Sequence, residues 1–129
     1  MGPKKKILLV DDDKFLIDMY SLKFTQAGFE VSAAFGAEEA LAKLKEGFAP
    51  DAILLDVVMP GMSGIQLLRR IRDEKLDGNA AVVVLSNQGQ QNDIEEAKNV
   101  GIDGYIVKAS TIPSEVLEQV REIMEHKKR

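Results

Sequence analysis

Short apolar runs recur along this chain, and four of them stop abruptly at a polar or charged residue. Ile7 to Val10 stops at Asp11, Asp12 and Asp13, and Asp51 to Leu55 stops at Asp56. Ala81 to Leu85 stops at Ser86, and Gly104 to Val107 stops at Lys108. Apolar runs that are continuous rather than alternating mark strands buried on both faces. A weaker run, Glu30 to Ala34, reads as a strand at a sheet edge. Between the runs the apolar residues change to helical spacing. Leu16, Met19, Tyr20 and Ala27 precede the terminator Gly28, and Ala37, Ala40, Leu41, Leu44 and Phe48 form a second stripe. Leu67, Leu68 and Ile71, then Ile94 and Ala97 before Gly101, then Val116, Leu117, Val120, Ile123 and Met124, complete the set.

Strands alternating with helices predict an α/β fold, a parallel sheet of five strands with helices on both faces. Right-handed crossovers place every strand C-terminus on one edge. Ligands bind such sheets outside that edge. Asp11, Asp12, Asp13, Asp56, Ser86 and Lys108 therefore converge.

Composition narrows what the convergence can do. A chain of 129 residues suits one domain, and the last helix leaves nothing over for a second. Lys plus Arg number 17 against 21 Asp plus Glu, a net charge of 17 − 21 = −4. With no basic stripe, direct nucleic-acid binding is not expected. The basic clusters Lys4 to Lys6 and Lys127 to Arg129 read as solvated ends. The absence of cysteine excludes disulfides and zinc–cysteine sites and is compatible with cytosol. No apolar run is long enough to cross a bilayer, and the one after the N-terminal lysines ends at Asp11, so it is no secretory signal. A cytoplasmic protein without membrane association is the expectation.

Carboxylates gathered in one pocket repel, so either some protonate or a cation holds them. Their hard oxygens suit Mg²⁺. The plainer reading is that Asp11 to Asp13 open a loop, with Asp13 capping the next helix. A second strand ending in an acid, Asp56, weighs against that reading for Asp11 and Asp12 but not for Asp13. Alone, Lys108 would be a solvated strand flank. Opposite an acidic pocket its ammonium is the natural counter-charge. Ser86 is by default a turn residue and Tyr105 a packed strand aromatic. His126, in the basic last turn, reads as a solvated helix end rather than a phosphodonor.

Four segments in order carry a resemblance: Leu9-Val10-Asp11-Asp12, Leu55-Asp56-Val57-Val58-Met59-Pro60-Gly61-Met62-Ser63-Gly64, Val84-Leu85-Ser86, and Gly104-Tyr105-Ile106-Val107-Lys108. From Lys6 to Lys127 the chain resembles a receiver domain of bacterial two-component response regulators. The resemblance implies the flavodoxin-like strand order 2-1-3-4-5 and one receiver domain over residues 1–129, with no output domain. It implies that Asp56 is the phosphoacceptor for the phosphohistidine of a sensor histidine kinase or a phosphotransfer protein. Asp12 would bind Mg²⁺ (or Mn²⁺) directly and Asp11 through water or as a supporting acid, with Asp56 and the Val58 backbone carbonyl completing the protein ligands. Lys108 and Ser86 would meet the phosphoryl oxygens, and Tyr105 would rotate inward when Ser86 moves. The altered face would bind a downstream protein, the chain acting as a monomer or a phosphorylation-dependent dimer. Such a module is no enzyme beyond its own phosphorylation and slow dephosphorylation.

Three positions depart from the family pattern. Ala109 stands where the family commonly has proline, often cis. Val58, two residues after the acceptor, cannot orient a water on an acyl phosphate. Asn87 to Asn92 is amide-rich, and Gln88 is a candidate to guide such a water instead. Among rivals, a phosphatase of the haloacid dehalogenase type wants an acid where Val58 stands. A flavin-binding domain wants a phosphate loop where the three aspartates stand. A pure interaction module would not need the full set Asp11, Asp12, Asp56, Ser86 and Lys108.

Overall fold

The computed structural model describes residues 4–86, 91–108 and 112–127. Five strands and five helices alternate: β1 (Lys6–Val10), α1 (Lys14–Gln26), β2 (Glu30–Ala34), α2 (Ala37–Lys45), β3 (Ala52–Asp56), α3 (Gly64–Asp73), β4 (Ala81–Ser86), α4 (Gln91–Val100), β5 (Gly104–Val107) and α5 (Pro113–Lys127). All pairings are parallel, in the order β2-β1-β3-β4-β5, so Glu30–Ala34 is an edge strand as its weak pattern implies.

Strand periodicity of two sorts the side chains into two layers. Leu8, Val10, Ile53, Leu55, Val82 and Val84 face α2, α3 and α4. Ile7, Leu9, Leu54, Val83, Leu85 and Ile106 face α1 and α5. Each central strand is buried on both sides, hence the unbroken apolar runs. The helices stop where the backbone enters the left-handed region, as at Gly28 (φ 97) and Gly101 (φ 105). Among the described residues, no helix is long and apolar enough to cross a membrane.

Register decides which strand ends meet. Val10 lies opposite Leu55, so Asp11 and Asp56 extend neighbouring strands side by side. Asp56 lies opposite Leu85, and Ser86 opposite Val107, which brings Ser86 and Lys108 beyond the same edge.

Candidate functional site

Asp13 is the N-cap of α1, its carboxylate accepting from the backbone N–H of Phe15 (3.0 Å) and Leu16 (3.3 Å). That role holds it at the helix start. Asp11 is buried, and its Oδ1 accepts from the Asp13 N–H at 2.9 Å. Its Oδ2 takes the Lys108 ammonium at 2.8 Å. Lys108 Nζ also stands 3.3 Å from Asp56 Oδ1. One buried ammonium thus bridges the acids that end β1 and β3. Asp12 is exposed beside them.

Asp56 is only 5% exposed. Burial pushes its carboxyl up to about 6 from the usual 3.8, with Lys108 pulling it down and Asp11 and Asp12 pushing it further up. Burial pulls the Lys108 ammonium down, but its hydrogen bond to the Asp11 carboxylate and the charge of Asp56 outweigh this and raise it overall. The lysine is therefore a permanent cation.

Carboxylate oxygens of Asp11, Asp12 and Asp56 lie within 4.8 Å of one another. The donor set fits a hard divalent ion: it is all oxygen, and the buried Asp56 carboxylate lacks enough positive charge to ionise at its ordinary value. Val58, two residues beyond the end of β3, is 56% exposed.

Ser86 is fully buried at the end of β4. Its hydroxyl hydrogen-bonds the hydroxyl of Tyr105. Tyr105 pairs with Val84 and packs against the α2/α3/α4 layer. Tyr105 is partly buried, with its ring packed against that layer and its hydroxyl on Ser86. Gln88 and Ala109, with the bond between Lys108 and Ala109, lie outside the described residues. His126 is exposed in the last turn of α5, far along the chain from any strand end.

Two residues join the site that sequence reasoning placed only in a helix stripe or a loop. Tyr20 is buried on α1 with its hydroxyl within electrostatic reach of Lys108 and Asp11. Burial raises its pKa, Lys108 lowers it and Asp11 raises it. Gly64, the first residue of α3, presses on the backbone of Asp56: a Cβ there would lie 1.9 Å from the Asp56 carbonyl oxygen. Its N–H donates to the Val57 carbonyl at 2.8 Å. Helix α3 is thereby seated against the strand that presents the acceptor, with Ser63 and Gln66 closing a capping box at the same turn.

Exposed apolar side chains also follow these strand ends. The large exposed hydrophobics among the described residues are Phe15, Leu22, Phe35, Val58 and Ile112. All but Leu22 follow a strand end on the edge that holds Asp56.

The profile of the response regulator receiver domain matches residues 7–121. The chain is 38% identical over 120 residues to the chemotaxis protein CheY of Thermotoga maritima, covering 92% of this chain and 97% of that one. It is 32% identical to the phosphate regulon transcriptional regulatory protein PhoB of Pseudomonas aeruginosa, spanning about half of that longer protein (52%). A CheY-like receiver domain from Methanospirillum hungatei superposes with a TM-score of 0.87 at 29% identity over 98% of both chains. The chemotaxis response regulator CheY4 of Vibrio cholerae gives 0.84 at 30% identity, over 94% of this chain and 99% of that one.

Proposed function

We propose a role for each site residue from one premise: the chain belongs to the response regulator receiver domain family. Its function is that of a two-component signalling module, not of an enzyme turning over a metabolite. Asp56 is the phosphoacceptor. A carboxylate oxygen of Asp56 forms a bond to phosphorus as the phosphorus–nitrogen bond of a phosphohistidine breaks, and the histidine leaves as neutral imidazole after taking a proton. The donor is a sensor histidine kinase or a phosphotransfer protein, and the exposed Phe15, Phe35, Val58 and Ile112 offer it an apolar seat around the acid. The observation that carries this reading is one buried carboxylate, Asp56, held 3.3 Å from a buried lysine and within 4.8 Å of two further acids.

Asp12, Asp56, the Val58 carbonyl and Asp11 would hold Mg²⁺ or Mn²⁺. The ion supplies charge neutralisation for the moving phosphoryl oxygens. Lys108 supplies the protein's own share, already aimed at Asp56. After transfer the new group carries about −1.5 to −2 charge. Lys108 then turns from Asp11 to a phosphoryl oxygen, and the Ser86 hydroxyl exchanges Tyr105 for another. Tyr105 is released from its present partner, and the surface of α4, β5 and α5 changes for a downstream protein. The reading places the chain in the cytoplasm, as one receiver domain working as a monomer or a phosphorylation-dependent dimer.

Intact mass after treatment with acetyl phosphate and Mg²⁺ tests the assignment. The wild type gains one phosphoryl adduct and Asp56→Asn gains none. An adduct that survives the substitution overturns it. A second measurement reads Val58. Its exposed apolar side chain offers no hydrogen bond to an attacking water, so the phosphorylated state is long-lived. Val58→Asn supplies that group and shortens the phospho-Asp56 half-life several-fold, within the roughly 10²-fold range of one positioned polar group. Equal half-lives would refute the role of Val58 and leave Asp56 untouched.

A further inference from the structure

Phosphoryl transfer to Asp56 gives no task to Tyr20, although this tyrosine is buried beside the site. Helix α1 begins at the edge that holds Asp56, with Asp13 as its cap, and runs away from that edge. Its buried residues Ile17, Tyr20 and Phe24 turn one face to the sheet. Tyr20 is the seventh residue of the helix, about 9 Å down its axis at 1.5 Å per residue. Helical side chains lean back toward the helix N-terminus. The long Tyr20 side chain therefore leans toward the strand ends. Strand parity brings the acids to the same side. Leu9 and Leu54 face α1 and α5, and two residues on from each stand Asp11 and Asp56. Asp11 continues the extended run of β1, its N–H donating to the Ala34 carbonyl at 3.1 Å. Tyr20 thus approaches the Asp11–Lys108–Asp56 bridge from the helix layer beneath it.

In this state the Tyr20 hydroxyl is unused. Tyr20 is 4% exposed, yet among the described residues none hydrogen-bonds its hydroxyl. The other tyrosine of the chain, Tyr105, does have such a partner in Ser86. Burial raises the Tyr20 pKa, Lys108 lowers it and Asp11 raises it, with no hydrogen bond contributing. The hydroxyl therefore keeps its proton and is a free donor within electrostatic reach of the bridge. A buried hydroxyl without a partner is costly, so a state in which it gains one is favoured. The nearby acceptor is Asp11 Oδ2, now taken by the Lys108 ammonium at 2.8 Å.

We propose that Tyr20 is a positioning residue: its hydroxyl donates to Asp11 Oδ2 as Lys108 leaves for the phosphoryl group, which frees the lysine and holds the acid in place. The role rests on Asp56 being the phosphoacceptor. When Lys108 turns to a phosphoryl oxygen, Oδ2 of the buried Asp11 loses its cation, and the waiting hydroxyl lowers the cost of that loss. A carboxylate oxygen offers two acceptor sites, so the hydroxyl leaves one for the hydration shell of a metal. Phenylalanine would fill the same space and offer no proton.

The test compares the wild type with Tyr20→Phe, which keeps the ring and deletes the hydroxyl. Labelling of Asp56 is followed by intact mass over a range of acetyl phosphate concentrations at fixed Mg²⁺. The limiting rate is expected to fall about tenfold, the weight of one hydrogen bond to a charged group, while the half-saturating concentration stays within about twofold. Urea midpoints of the two unphosphorylated proteins coincide or favour the variant, because the hydroxyl has no partner to lose. Tyrosine labelled with ¹³C at Cζ gives two signals, which Tyr20→Phe assigns. On phosphorylation the Tyr20 signal moves toward the phenolate position, as the Asp11 carboxylate polarises the O–H bond. A Tyr20 signal that stays put, a loss confined to the half-saturating concentration, or a variant less stable than the wild type before phosphorylation would each overturn the proposal. Equal labelling of both proteins at Asp56 overturns the role of Tyr20 alone. A wild type that takes no adduct at Asp56 overturns the phosphoacceptor assignment itself, and this role with it.

Discussion

Replacing Asp56 by asparagine is expected to make the metal-free protein more stable at pH 8, by about 2 kcal/mol, and no more stable at pH 4. The cause is the cost of a buried anion. Burial lifts the Asp56 carboxyl from 3.8 to about 6, against the pull of Lys108. Between these values the folded chain binds a proton that the unfolded chain has released. Stability therefore falls as pH rises through that window and stays low above it. A shift of two units corresponds to about 3 kcal/mol at most, at about 1.4 kcal/mol per unit. Asparagine removes the charge but keeps an oxygen for Lys108, which also retains its 2.8 Å bridge to Asp11. Melting curves of both proteins in EDTA at pH 4, 6 and 8 read the effect. The gap at pH 8 is on the order of 8 °C. Adding Mg²⁺ narrows it, because the wild type gains binding free energy that the variant, short of one carboxylate ligand, does not. A variant that melts with the wild type at pH 8 in EDTA would show that the Asp56 anion is not costly in this pocket.

The same acid was legible before any coordinates, and the reason is local. Strands buried on both faces cannot alternate, so Ile7 to Val10, Ala52 to Leu55 and Ala81 to Leu85 stand out as unbroken runs. What ends such a run sits at the ligand-binding edge, which singled out Asp11, Asp56, Ser86 and Lys108. Strand order was not legible from periodicity, because period marks elements and not neighbours. It came only with the family resemblance. Nor could spacing say that Lys108 bridges Asp11 and Asp56 together, which needs the register of three strands. The hydrogen bond between Tyr105 and Ser86 was out of reach for the same reason, since it joins side chains of two different strands. Tyr20 looked like any member of a helix stripe, and only parity places it on the layer shared with Ile106, two residues before Lys108.

Gly64→Ala is expected to be the most damaging single methyl group that can be added beside this site. Helix propensity alone points the other way. Alanine in place of a helical glycine is favourable by up to about 1 kcal/mol, and φ at Gly64 lies outside the left-handed region, so torsion does not forbid it. The obstacle is contact. The new Cβ would lie 1.9 Å from the Asp56 carbonyl oxygen, 2.8 Å from its carbonyl carbon and 2.9 Å from Leu55 Cδ1. The first two atoms belong to the backbone of β3, which is paired on both sides by β1 and β4 and cannot retreat. Helix α3 must lift instead, stretching the Gly64 N–H bond to the Val57 carbonyl. Overpacking of this kind costs about 1–3 kcal/mol or more, which exceeds the propensity gain. The displacement also reaches the acceptor. A misplacement of about 1 Å can lower a positioned reaction on the order of 10²-fold, so labelling of Asp56 by acetyl phosphate should slow at least about tenfold. Gly104→Ala is the matched control. Its Cβ would meet Ile123 Cδ1 at 2.2 Å, but that atom is the tip of a flexible side chain and can swing aside. Urea midpoints and labelling rates of the two variants, compared side by side, decide the matter. Equal losses in both would mean that the approach of α3 to the Asp56 backbone does not hold the acceptor in place.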